Sequence, residues 1–188
     1  MIHYLVKISK FVPIACYKTV FDIDYSKLYD EGCRIILFDL DNTLIPYDET
    51  IPQEKHIELF KQIKKLGIQI IIISNNRAER VKAFADIVEC EYVYSAMKPL
   101  KSGYKKALAK ITNYKNQQIV SVGDQLMTDV LGSNRTNLKC ILVKPIKKKT
   151  EKWYTKINRK MENSVLKRLR KHHPEVYEEI KKLEEIND

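Results

Sequence analysis

An apolar run, Ile35-Ile36-Leu37-Phe38, ends abruptly in Asp39-Leu40-Asp41-Asn42-Thr43. Four consecutive residues of this kind read as a strand buried on both faces, the habit of a parallel sheet. Aspartate is depleted in strands and seldom fully buried without a partner. Two carboxylates at the end of such a strand therefore need partners from elsewhere in the chain. Open α/β sheets bind ligands at the carboxyl ends of their strands, where Asp39 and Asp41 would sit. Taken alone, the same residues also fit a turn with an Asx cap. The choice rests on whether other segments bring polar groups to the same edge.

Three other strand patterns do so. Ile68 to Ile73 is a β-branched run ending in Ser74-Asn75. Tyr92 to Tyr94 reads as a short strand followed by Met97-Lys98-Pro99. Gln118 to Val122 runs into Gly123-Asp124, with Asp129 five residues on, and Lys139 to Val143 is a last strand. Helical patterns fall between them. One carries Ile57, Phe60, Ile63 and Leu66 on a face and stops at Gly67; Arg77 to Val88 turns Val81, Phe84 and Val88 inward. Two more run from Ser102 to about Ile111 and around Thr128 to Ser133, and Asp24 can cap a short helix through Tyr29. Strict alternation of this kind predicts an α/β fold: a Rossmann-like, mostly parallel sheet with helices on both faces.

Each polar strand end has an ordinary explanation by itself. Ser74-Asn75 can cap a helix, Lys98 can be a solvated lysine, Gly123-Asp124 can be a turn, and Asp129 can be a first-turn acid. All of them at the same end of successive strands are better explained as one site. Its members are Asp39, Asp41, Thr43, Ser74, Asn75, Lys98, Asp124 and Asp129.

The pattern resembles the haloacid dehalogenase-like (HAD) superfamily of phosphohydrolases. Asp39-Leu40-Asp41-Asn42-Thr43 fits its first motif, D-x-D-x-[TV]. Ser74 and Lys98 fit the second and third, and Gly123-Asp124 with Asp129 fits the fourth. The resemblance covers about residues 34 to 145. It implies that Asp39 is a nucleophile forming an aspartyl-phosphate, and that Asp41 is the acid and base. Mg²⁺ would be held by Asp39, the Asp41 carbonyl, Asp124 and Asp129. Lys98 would offset charge, and Thr43, Ser74 and Asn75 would help to bind phosphate. The chemistry needs such a set, because a phosphate dianion repels an anionic nucleophile until cations neutralise it. P-type ATPases, which share these motifs, carry Lys at the position of Asp41. At subfamily level, F-D-L-D-N-T-L-I-P, I-I-S-N-N and G-D-Q-L-x-T-D-V-L-G-S-N-R resemble the YqeG-like group of HAD subclass IIIA. That group is similar to phosphatidylglycerophosphate phosphatases.

The spacing leaves about 35 residues between Asp39 and Ser74 and about 24 between Ser74 and Lys98. A flap, one helix and one strand fill the first gap, and a helix and a strand fill the second, so a capless enzyme is expected. Residues 1–145 form the expected core, with 1–21 unassigned, and residues 146–188 form a basic helical extension. Between Lys144 and Lys171 stand twelve Lys/Arg and two acids, so this segment accounts for the whole formal charge of +10. Within it Trp153, Ile157, Met161, Val165 and Leu169 recur every fourth residue. Three partners suit that pattern: the sheet itself, with a solvated basic face outside; an anionic membrane surface contacted through residues 144–171; or nucleic acid. A second class of function, an RNA- or ribosome-associated binding module using the basic tail, stays open on these grounds. A last helix is expected from Glu175 to Ile186. No stretch has the apolar length of a membrane span, and the N-terminus lacks a signal-peptide core. Cys16, Cys33, Cys90 and Cys140 are scattered and read as reduced thiols. A cytoplasmic protein, peripheral at most to a membrane, is the expectation.

Overall fold

The computed structural model describes residues 6–151 and 153–185. Six strands form one parallel sheet: β1 (Ala15–Tyr17), β2 (Ile35–Phe38), β3 (Gln69–Ile73), β4 (Glu91–Val93), β5 (Ile119–Gly123) and β6 (Lys139–Val143). Their spatial order is β1-β6-β5-β2-β3-β4. Ile36 of β2 lies opposite Ile70 on one side and Val120 on the other, so the strand that ends in Asp39 is central. From β2 the chain winds outward through β3 and β4, then returns to lay β5 and β6 on the opposite side. The winding therefore reverses between β2 and β5, and a crevice at their carboxyl ends follows from that reversal. Asp39 and Asp124 stand on its two sides.

The edge strand β1 lies inside the segment that the sequence leaves unassigned. It is three residues long and half-buried throughout, too short for any period to show.

Helix α1 (Tyr25–Asp30) is capped by Asp24, whose carboxylate accepts from the Lys27 N–H at 2.9 Å. Helices α2 (Glu54–Lys65) and α3 (Ala78–Ile87) cover one face of the sheet. Gly67, at φ 85°, ends α2 in the left-handed position where a side chain would be strained. Phe60 and Ile63 of α2 and Val81 and Phe84 of α3 join Ile36, Phe38, Ile70 and Ile72 in one core. Phe60 packs on Phe38 and Phe84 with ring centroids 5.6 and 6.0 Å apart. Helix α4 (Lys101–Leu108) covers the other face through Tyr104 and Ala107. Only a loop and α2 separate β2 from β3, and only α3 separates β3 from β4. No cap domain is inserted at either place.

The loop after β2 forms a flap, anchored by a buried histidine. His56 Nδ1 accepts from the Gln53 N–H at 3.0 Å, which leaves Nε2 to donate to the Leu44 carbonyl at 2.8 Å. Burial pushes the His56 pKa below its ordinary value of 6.5. The unfolded chain therefore binds this proton more readily than the folded one. The stabilising contribution is complete above about pH 6.5 and declines as the pH falls toward the folded-state value. Thermal unfolding from about pH 7 to about pH 5 should show a steeper loss of midpoint in the wild type than in His56→Gln. Parallel profiles would remove His56 as the source.

After β5 a five-residue π-helical turn, Leu126–Val130, runs into helix α5 (Leu131–Arg135), so helical structure starts earlier than the expected Thr128. Helices α6 (Trp153–His172) and α7 (Pro174–Glu185) close the chain. Val165, Leu166, Leu169 and Ile180 bury against Phe11, Cys140 and Leu142. The expected four-residue stripe is only partly inward: Val165 and Leu169 are buried, but Ile157 is 47% exposed. A step of four residues overshoots a helical turn by about 40°, so a stripe of that period rotates off the packed face within a few steps. Residues Thr155 and Glu162 take the inward positions nearer the helix start. The side chain of Trp153, and Ile186 at the expected end of the last helix, lie outside the described residues.

Candidate active site

The carboxyl ends of β2, β3 and β5 and the loop after β4 bring the predicted polar residues together. Lys98 reaches in from that loop, where Ser95 and Met97 both take left-handed backbone (φ 45° and 54°). Its Nζ donates to Asp39 Oδ1 at 2.5 Å and to Asp129 Oδ1 at 2.6 Å. Thr43 Oγ1 donates to Asp39 Oδ2 at 3.1 Å and lies 3.5 Å from Asp124 Oδ1. Gly123 is needed for this closeness, since a Cβ there would stand 2.3 Å from Asp129 Cγ. Among the described residues, Asp39, Asp124 and Asp129 each offer an oxygen, all within 4.8 Å of one another, and all three are buried.

Three buried carboxylates with so few counter-charges are costly. Burial pushes the Asp39 carboxyl well above the usual range; Lys98 opposes this, and Asp129, Asp124 and Asp41 add to it. Burial likewise raises Asp124 to about 7, against the pull of Arg159. For Lys98, burial works to lower the pKa, but Asp129 and Asp39 more than offset it and the ammonium is held. Such a cluster suits a hard divalent cation, which prefers carboxylate oxygens and supplies the missing positive charge. Gln125 Oε1, buried and without a partner, adds one more oxygen beside the cleft.

Asp41 is set apart from this group. Its Oδ1 accepts from Arg80 Nε at 2.7 Å, and its Oδ2 from Asn76 Nδ2 at 3.1 Å and Ser74 Oγ at 3.3 Å. Arg80 also donates to the Pro46 carbonyl at 2.9 Å, tying the flap to the same residue. Asn75 clamps the Lys98 main chain: its Oδ1 accepts from the N–H at 2.7 Å and its Nδ2 donates to the carbonyl at 3.1 Å. The open cleft is lined by Asp39, Asp41, Tyr47, Asn75, Lys98 and Gln125, and by Thr155 and Asn158 of α6. Thr43 and Ser74 are buried, their hydroxyls donating to Asp39 and Asp41.

The protein-family model for haloacid dehalogenase-like hydrolases matches residues 47–135, which include Ser74, Lys98, Asp124 and Asp129. Over 161 residues the chain is 35% identical to the Probable phosphatase YqeG of Bacillus subtilis (strain 168), covering 86% of this chain and 92% of that protein. The chain belongs to the YqeG-like HAD phosphatase family. This HAD protein is also similar, at 29% identity over 177 residues, to Phosphatidylglycerophosphate phosphatase 1, chloroplastic/mitochondrial, of Arabidopsis thaliana. That match covers 87% of this chain and 50% of the plant protein. Among solved structures, an uncharacterized protein from Listeria monocytogenes serotype 4b superposes with a TM-score of 0.49 at 20% identity, covering 58% of this chain and 77% of that one.

Four further residues join this site without a sequence motif to mark them. Asn76 and Arg80 read as an ordinary start to a helix. Arg159 reads as one cation among twelve, yet it is largely buried and bound to three carboxylates. It donates to Asp124, to Glu151 at 2.8 Å and to Glu162 at 3.2 Å. Asn42, at φ 66°, turns the chain out of the first motif and donates to Glu151 Oε1 at 3.1 Å. One signal was available: Glu151 and Glu162 are the only acids in the basic segment, and they bracket Arg159.

Proposed function

We propose that this HAD phosphatase hydrolyses a phosphate monoester in two steps on Asp39, with Mg²⁺ as its cofactor and an anionic phospholipid such as phosphatidylglycerophosphate as substrate. The observation that carries the two-step reading is the placement of Asp39, beside Lys98 and inside the buried carboxylate cluster, with a second aspartate on the wall of the same cleft. Asp39 faces Lys98 and the carboxylate cluster, whereas Asp41 is held by Arg80, Asn76 and Ser74 at the cleft wall. In the first step an Asp39 oxygen bonds to phosphorus, the ester P–O bond breaks, and Asp41 gives its proton to the leaving oxygen. In the second step Asp41 takes a proton from water, the water oxygen bonds to phosphorus, and the bond to Asp39 breaks to release inorganic phosphate. Lys98 offsets the negative charge of phosphate and nucleophile, and Asn75 fixes its main chain. Asp39, the Asp41 carbonyl, Asp124 and Asp129 would hold Mg²⁺, which when bound supplies Lewis-acid neutralisation of the phosphoryl oxygens.

The lipid reading has three supports. The cleft has no cap above it, so a head group can enter without its lipid leaving a bilayer. Lys156 and Lys160 are exposed on α6 beside the cleft-lining residues Thr155 and Asn158. Exposed apolar side chains are next in the chain to cleft-lining residues, Met97 before Lys98 and Ile157 before Asn158, a mixture of charge and apolar surface that suits an anionic membrane surface better than RNA. No helix among the described residues is long and apolar enough to cross a membrane. Phosphate release should be measured on vesicles containing phosphatidylglycerophosphate and on a panel of soluble sugar and nucleotide phosphates. At least about ten-fold higher kcat/KM on the vesicles is expected. Equal rates on soluble esters would remove the lipid reading and keep the phosphatase. Salt-sensitive RNA binding by a protein without phosphatase activity would replace both with the binding-module reading.

A further inference from the structure

The structure assigns a role to Arg159: we infer that this residue of α6 is a positioning residue for Asp124, so that the basic C-terminal helix completes the catalytic centre. Its guanidinium fork is spent entirely on the site. Nη2 pairs with Asp124 Oδ2 and with Glu151 Oε1, Nη1 donates to the Asp124 carbonyl at 2.9 Å and to Glu162 Oε2 at 3.2 Å, and Nε donates to Glu151 Oε1 at 3.0 Å. Holding both the side chain and the main chain of one residue fixes its rotamer, as a planar fork can and a point charge cannot. Arg159 takes Oδ2, and Oδ1 is left on the side of Thr43, which also bonds Asp39. The oxygen that Arg159 leaves therefore stands, with Thr43, on the Asp39 side of the carboxylate cluster.

The two acids hold Arg159 in turn, and each is fastened to the core. Glu151 accepts from Asn42 Nδ2 at 3.1 Å, just beyond Asp41, and Glu162 accepts from the Met127 N–H at 3.3 Å, on the π-helical turn that carries Asp129. The helix thus bridges the first and fourth motifs through one arginine. A surface basic patch would need none of this burial or reciprocity.

The inference rests on the metal-dependent reading above, and cation affinity in the full-length protein separates the two. Calorimetric titration with Mg²⁺ and Mn²⁺ should compare wild type, Arg159→Met, Arg159→Lys and Leu169→Ala. The last variant loosens the same helix from a buried position remote from the site. Arg159→Met is expected to bind cation at least about ten-fold more weakly, with partial recovery in Arg159→Lys. Leu169→Ala is expected to lower the thermal midpoint while binding cation like the wild type. Undiminished or tighter binding in Arg159→Met, or equal weakening in Leu169→Ala, would overturn the positioning role alone. Absence of cation binding in the wild type would overturn the metal reading and this inference together.

Discussion

Asp39→Asn is expected to lower kcat on p-nitrophenyl phosphate by at least about 10⁴-fold while leaving the fold intact. The amide keeps the size of the side chain and one acceptor for Lys98 or Thr43, but it cannot form the acyl-phosphate bond. Its effect on stability runs the other way. Asp39, Asp124 and Asp129 crowd three carboxylates into a buried volume with Lys98 between two of them. Removing one negative charge from that cluster should leave the metal-free protein as stable as the wild type or more so. A dead enzyme with an unchanged or higher thermal midpoint is the combined signature. Turnover surviving in Asp39→Asn would return the nucleophile's role to another residue, or to water.

Lys98→Met should be harmful on both counts. Lys98 is almost wholly buried, and its ammonium bridges Asp39 and Asp129. Breaking a buried pair from the cationic side strands the carboxylates, at a cost of about 3 to 5 kcal/mol in metal-free protein. Since the stranded groups can take up protons, the deficit should shrink as the pH falls from about 7 to about 5. Divalent cation should restore part of the stability, but a kcat loss of about 10³-fold should persist, because phosphate would still meet an unneutralised nucleophile. Measuring unfolding midpoints against pH, with and without Mg²⁺, separates these effects. A deficit that is flat in pH would mean that packing loss outweighs charge.

The parallel sheet and three of its strand ends were legible because buried parallel strands are continuous apolar runs, and a run that stops at Asp39, Ser74 or Asp124 announces a boundary. Helices α2 and α3 were legible for the matching reason, a stripe of period 3.6 closed at Gly67 and at Val88. What the sequence concealed was of another kind. Strand β1 is short and lies on an edge, so its pairing with β6 leaves no local trace. Arg80 and Arg159 sit on helices whose outward residues are also charged, and only the third dimension separates an arginine turned toward Asp41 or Asp124 from one turned toward water. The basic tail was legible as a charged helix, but part of its charge is spent internally: Arg159 is neutralised by Glu151, Glu162 and Asp124.

The sheet order has a consequence for synthesis. The first strand has no neighbour until β6 has been made, and Asp124 gains its arginine only later still. A nascent chain emerging from the ribosome carries the four motifs well before it carries α6. Domains fold as units while the chain is made, and here the unit closes only near its carboxyl end. On this reading the chain gains its hydrolytic competence only once α6 has been made and Arg159 can reach Asp124.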